Sequence, residues 1–299
     1  MEEIRPGIYY EDLYLGVNLA ACVFPHGTIY IDAPLKAEDA RAWRSMLLNQ
    51  RGGNNRLLIL LDSHIDRTLG AKAFDCPILA HEKTASVFRS RPSVFKGQSP
   101  ENGSDWEGYI DSIGTRWAIP DITFTNQLSL HWGGPEIRLE HHPGPAAGSI
   151  WVIIPAENVI FIGDAVVVNQ PPFLANADLE AWQQSLDELA SHYRHFQIYS
   201  SRSGLITLQD IRHQQTFLKD LQKRLERLIK KDAKPEAVNK IVPALLSHFS
   251  FSQEKEDVYT KRLQSGLYEY LLRRNQPILE EAEGEETDIG ESLDAPSEL

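Results

Sequence analysis

The sequence predicts an α/β domain followed by a helical extension, on three observations. Up to about residue 204, short β-rich runs alternate with helical stretches and turn signals. The continuous apolar run over residues 57–61 has the character of a strand buried on both faces. From Leu208 onward the pattern changes, and Ile211, Phe217, Leu218, Leu221, Leu225 and Leu228 recur at helical spacing.

The elements follow in order. Gly27 separates two β-rich runs, 20–24 and 29–32, in a pattern suited to a hairpin. Residues 36–50 have helical character, and Gly52 and Gly53 end that helix before the buried strand at 57–61. Residues 89–120, with several Pro, Gly and Ser, predict a long loop or insertion, of the kind that is usually functional or mobile. Its aromatics Trp106, Tyr109 and Trp117 are placed either to cap a cleft or to anchor the loop. Strands are predicted at 150–154 and 159–162 with a turn between them, an amphipathic helix over 179–194, and a last short strand at 197–199. Pro235 breaks the first helix of the extension, with further helical pieces over 237–249 and 258–272. The boundaries expected are a domain over 1–206, helices packed on it over 207–278, and an acidic disordered tail over 279–299.

Composition narrows the function classes. A 42% apolar and 24% charged chain of 299 residues is that of an ordinary globular protein. A formal charge of −12 disfavours nucleic acid and anionic membranes as partners, although much of the acid lies in the tail. Two cysteines, Cys22 and Cys76, give neither a disulfide framework nor a C-x-x-C pair. No secretory leader and no membrane-length apolar run is visible, so the expected location is cytoplasmic. The oligomeric state is not readable.

Four segments stand where a strand meets a loop, the positions that commonly carry chemistry in layered α/β folds. They are Leu61-Asp62-Ser63-His64-Ile65-Asp66-Arg67-Thr68-Leu69-Gly70, His141-His142-Pro143-Gly144-Pro145-Ala146-Ala147-Gly148-Ser149, Phe161-Ile162-Gly163-Asp164-Ala165, and Tyr199-Ser200-Ser201-Arg202-Ser203-Gly204. In this order they resemble the signatures of the metallo-β-lactamase superfamily: T-H-x-H-x-D-H-x-x-G, P-G-H-T-x-G-S, G-D and a late G-H-G-like turn. Asn18, Asp32, the 77–82 segment, Asp178, Trp182 and Ser185 also sit at positions similar to the family's. The resemblance covers roughly residues 4–206 and implies a four-layered αββα sandwich with a C-terminal helical extension.

It also implies a two-metal hydrolytic centre, and here the sequence departs from the pattern. The first-metal positions are Asp62, His64 and Pro145; the second-metal positions are Asp66, Arg67 and Arg202; Asp164 holds the bridging place. Of the five histidines that the resemblance calls for, His64 alone is present. Proline offers no donor atom, and a guanidinium stays protonated. Some lactamases of the family carry Arg at the Arg67 position, but with a cysteine beside the G-D segment, which is absent here. Arg67 and Arg202 would then face Asp62, Asp66 and Asp164, and their planar forks would take the charge role of the second metal.

Two functional expectations follow. In the first, the chain is a pseudoenzyme of the fold with a degenerate metal site and no cofactor, binding a small-molecule ligand or a partner. In the second, Asp62, His64 and Asp164 hold one Zn, Fe or Mn ion, with His142 as a possible compensating ligand. That centre would hydrolyse an ester, thioester, lactone or phosphodiester, with Asp66, Arg67 and Arg202 as the candidate catalytic residues and an arginine orienting an anionic substrate. The alternative for His64 is a hydrogen-bonded core histidine, and for His141 and His142 strand or loop positions.

Overall fold

The computed structural model describes residues 1–50, 52–96, 103–104 and 113–275. The readings of Trp106, Tyr109 and the acidic tail fall outside the described residues. Seven strands form the first sheet in sequence order: β1 (Glu2–Arg5), β2 (Ile8–Glu11), β3 (Leu19–Phe24), β4 (Gly27–Ile31), β5 (Asn55–Ile59), β6 (Ile78–His81) and β7 (Ile122–Phe124). The second sheet runs β8 (Gln127–Leu130), β9 (Ile137–His141), β10 (Ile150–Ile154), β11 (Val159–Phe161), β12 (Gln197–Ser200) and β13 (Gly204–Ile206). Strands β4 to β7 pair in parallel, as do β11 and β12, and the remaining neighbours are antiparallel.

The parity of the strands explains the layering, because successive side chains point to opposite faces. In β3, Ala20, Cys22 and Phe24 enter the core between the sheets, while Leu19, Ala21 and Val23 enter a core on the outer face. Leu57 and Ile59 against Leu58 and Leu60, and Ile150, Val152 and Ile154 against Trp151 and Ile153, divide in the same way. Strands apolar on both faces demand cover on both sides. The helices α1 (Ala37–Leu48) and α2 (Glu82–Ser90) cover the first sheet through Ala40, Trp43, Leu47 and Phe88. On the second sheet α3 (Leu179–His192) packs through Trp182, Leu186 and Leu189. The result is the αββα sandwich.

The extension joins the same outer core. In α4 (Leu208–Lys230), Ile211, Phe217, Leu218, Leu221 and Leu225 are buried at helical spacing, and a capping box between Thr207 and Asp210 fixes its start. The piece expected over 237–249 divides into a 3-10 turn (Pro235–Lys240) and the short α5 (Val242–Leu246), and the last helix, α6, runs Glu256–Asn275. Strands β7, β8 and β9 were not singled out from the sequence. The predicted 89–120 loop begins inside α2 and includes an isolated bridge between Val94 and Arg116. No helix among the described residues is long and apolar enough to cross a membrane.

Candidate functional site

Four strand ends deliver the site. Asp32 follows β4, Asp62 follows β5, Asp164 follows β11 through Ile162-Gly163, and Arg202 follows β12. Gly163 adopts φ 59°, a left-handed turn that glycine takes without steric cost and that delivers Asp164 to the site. After Asp62 the chain winds into a short 3-10 turn, Ile65–Arg67, in which Ile65, Asp66 and Arg67 are all buried. The first segment ends at Gly70, where a Cβ would lie 2.3 Å from the Pro34 carbonyl oxygen. Gly70→Ala is therefore expected to destabilise the protein by ~1–3 kcal/mol, read by denaturant unfolding; an unchanged midpoint would show that the Pro34 backbone yields freely.

Arg67 is fully buried and spends its whole fork on carboxylates. Its Nε and Nη2 donate to Asp62 Oδ1 (3.0 Å) and Oδ2 (2.5 Å), and its Nη1 donates to Asp164 Oδ1 (2.8 Å). Arg202 repeats the arrangement. Its Nε donates to Asp164 Oδ2 at 2.8 Å, and Nη1 and Nη2 donate to Asp66 Oδ2 (2.6 Å) and Oδ1 (3.0 Å). All six carboxylate oxygens of Asp62, Asp66 and Asp164 thus accept from a guanidinium. Arg202 Nη1 also reaches the Gly16 carbonyl, and the guanidinium lies 4.7 Å from the Phe173 ring centroid.

The electrostatics follow from this geometry. Burial opposes ionisation of Asp62 and Asp164, but the facing arginines outweigh it and hold both below the ordinary carboxylate range. Burial likewise disfavours charge on Arg67 and Arg202, and the surrounding aspartates reverse this and raise both. Asp32 takes the surplus acid. Burial, with the Asp62 charge beside it, pushes its carboxyl up to about 7 against the pull of Arg67. Asp32 accepts from the Leu61 N–H and the Ser201 hydroxyl, and its φ of 60° is one that aspartate tolerates.

His64 stands apart from this network. Its N–H donates to Asp62 Oδ1 at 2.8 Å, but its ring packs on Phe173 at 4.7 Å, and burial holds the imidazole below its usual pKa. His142, considered as compensation for Pro145, is placed elsewhere: its ring stacks on Trp151 and approaches Glu140 and Glu188. His141 Nε2 lies 2.8 Å from the Ala147 carbonyl, and its ring stacks on His81. Arg67, set by the resemblance at a second-metal position, lies across Asp62 and Asp164, two of the three ligands that a single remaining metal would need. A two-metal centre does not fit these residues. Its donor oxygens are all engaged by fixed cations, which repel a dication, and Pro145 offers no ligand atom.

Asp178 and Ser185 hold the second segment, and Trp182 the third. The Asp178 N–H donates to the Gly144 carbonyl, Trp182 Nε1 to Ala165 and Ser185 Oγ to Pro143. Beside the network lies a cavity of about 530 Å³, bounded by Ser63, His64, Arg91, Pro145, Phe173 and Arg262, so that α6 of the extension closes one wall. Arg91, which the sequence did not single out, is held between Phe88 and Trp117 and donates to the Ser63 carbonyl. Its Nη1 lacks a hydrogen-bond partner, and burial pushes the guanidinium down to about 10 despite the Asp62 charge.

Residues 64–192 match the family model described as the metallo-beta-lactamase superfamily. No curated protein matches the chain. Among solved structures, a metallo-beta-lactamase from Pontibacter korlensis is 17% identical, with a TM-score of 0.57 over 73% of this chain and 97% of that one. A second from Erythrobacter litoralis is 19% identical, with a TM-score of 0.52 over 73% and 95%. An inverting sec-alkylsulfatase from Pseudomonas sp. is 15% identical, with a TM-score of 0.62 over 91% of this chain and 49% of its own length. At these identities the likeness is one of fold.

Proposed function

We propose that this chain, whose residues 64–192 match the metallo-β-lactamase superfamily model and whose fold is that of its members, fills that fold's metal pocket with a pair of arginines and is a non-hydrolytic, ligand-binding protein. The observation that carries this reading is the engagement of all six carboxylate oxygens of Asp62, Asp66 and Asp164 by Arg67 and Arg202. Hydrolysis in this fold requires a water made nucleophilic by a metal, whose charge lowers the water's pKa. Arginine supplies charge without a coordination site, so it maintains the folded pocket and omits the nucleophile.

The ligand is a small organic anion held in the adjoining cavity. Arg91, Arg262 and Arg273 line it against Glu269, the one carboxylate among its described lining residues, and the neutral ring of His64 and the face of Phe173 give it an apolar side. Arginine forks suit carboxylate, sulfate and phosphate groups.

The test has two arms. Purified protein, with and without added zinc, is assayed on ester, thioester, lactone, β-lactam, sulfate-ester and phosphodiester substrates. The expected result is no turnover above background, and a metal content that His64→Ala leaves unchanged. Turnover abolished by His64→Ala together with loss of a stoichiometric metal would instead establish the mononuclear hydrolase. In the second arm, a library of organic carboxylates, sulfates and phosphates is screened by thermal shift. Hits are expected to weaken about tenfold or more in Arg91→Gln, since charged hydrogen bonds contribute ~1.5–3 kcal/mol.

A further inference from the structure

On the outer face of the second sheet, two pairs of ligand-type residues converge. Glu140 and His142 are two residues apart at the end of β9, and the ladder continues past the strand, with the His142 N–H donating to the Ser149 carbonyl at 3.0 Å. Alternate residues share a face, so both side chains point toward the helix layer. Glu188 and His192 are four residues apart on α3, on one face of that helix. These two pairs meet at a layer otherwise filled by Trp151, Leu186, Leu189 and Tyr193.

The contacts are close. His142 Nε2 lies 3.3 Å from Glu140 Oε2, and Nδ1 lies 3.8 Å from Glu188 Oε2. Ligand atoms of Glu140, His142 and Glu188 all fall within 4.8 Å of one another. His192 Nδ1 stands 4.0 Å from Glu188 Oε1. His142 therefore has a carboxylate oxygen beside each of its ring nitrogens. Surrounding groups hold the set in place: the Tyr193 hydroxyl donates to Glu140 Oε2 at 2.9 Å, and the His142 ring stacks on Trp151 at 3.6 Å and 15°. Arg138 Nε approaches the other Glu140 oxygen at 3.8 Å. Hydrogen-bonded, orientation-fixed ligands of this kind are what metal sites use to set their geometry.

We propose that Glu140, His142 and Glu188 bind a divalent first-row metal ion. Two carboxylates neutralise the dication, and with the imidazole they form a three-ligand oxygen and nitrogen set suited to zinc with an open position. The site ties α3 to the second sheet and takes no part in the pocket described above.

The test uses the full chain, stripped with chelator and titrated with Zn²⁺ by calorimetry and with Co²⁺ by visible absorption. One equivalent is expected to bind, with an affinity about tenfold or more weaker in Glu188→Gln and in His142→Ala, and unchanged in His64→Ala. Glu188 is 42% exposed at its side chain, so its isosteric replacement leaves the fold intact even where His142→Ala does not. Binding insensitive to Glu188→Gln would overturn the proposal. So would a stripped protein that takes up no metal.

Discussion

Replacing Arg67 with Ala is expected to cost about 3–5 kcal/mol, the range for breaking a buried ion pair from one side, or on the order of 10 °C in melting temperature for a domain of this size. The reason is the burial of what remains. Asp62 loses the guanidinium that engages both its oxygens, Asp164 keeps only its bond from Arg202, and both carboxylates are buried. The freed oxygens create a further signature. Zinc should raise the melting temperature of Arg67→Ala by more than that of the parent, because both Asp62 oxygens and one Asp164 oxygen are released from a fixed cation. Arg67→Lys should fall between, since it keeps the charge and loses the fork. The double replacement Asp62→Asn/Arg67→Gln should recover part of the loss, since no unpaired charge is left on that edge. A parent-like unfolding midpoint for Arg67→Ala would mean that the network contributes little to the fold.

The second large effect is in pH. Asp62 and Asp164 have folded pKa values below their unfolded ones, so their contribution is present above the ordinary carboxylate pKa and is lost as pH falls through the depressed folded values. Asp32 works in the opposite direction. Its carboxyl is raised from 3.8 to about 7, so the folded state retains a proton that the unfolded state releases. Stability from Asp32 is fully present below pH ~4, declines as pH rises through the interval up to the folded value of about 7, and is flat above it. The full swing is up to about 4 kcal/mol at 1.36 kcal/mol per unit. Asp32→Asn should remove that decline. Denaturant unfolding of both proteins from pH 5 to 7.5 tests this: the parent should lose stability relative to Asp32→Asn across the interval, and parallel curves would refute the assignment.

Much of this site was legible because motif positions fall at strand ends, and strand ends are set by local signals. Asp62 follows an unmistakable apolar run, Asp164 follows a glycine turn, and the substitutions at Arg67 and Arg202 stand out against histidine. The partition of the arginines was less legible. The family resemblance places both at second-metal positions, whereas Arg67 reaches Asp62 through a 3-10 turn whose compactness no periodicity announces. Asp32 was noted by position only, since its elevated pKa depends on side chains distant in sequence, Arg67 and Ser201 among them. Strands β7 and β8 have half-exposed, polar-containing sequences such as Gln127-Leu128-Ser129-Leu130, where alternation is the only cue and pairing partners decide the outcome. Arg91 and the Glu140–His142–Glu188 cluster are assembled by packing alone. The pairs at 140/142 and 188/192 are visible in the sequence, and the sheet-to-helix contact that brings them together is not.

The arginine network also bears on how the chain matures. A metal-bearing pocket leaves a nascent chain with a cluster of like charges until an ion arrives, so folding yield follows the ion's supply. Here the neutralising groups travel on the same polypeptide, Arg67 beside β5 and Arg202 beside β12, one from each sheet. Arg67 meets Asp164, and Arg202 meets Asp66, only when the two sheets come together, which ties pocket completion to sheet docking. The docked sandwich is thus the first state in which the charges of this centre are matched.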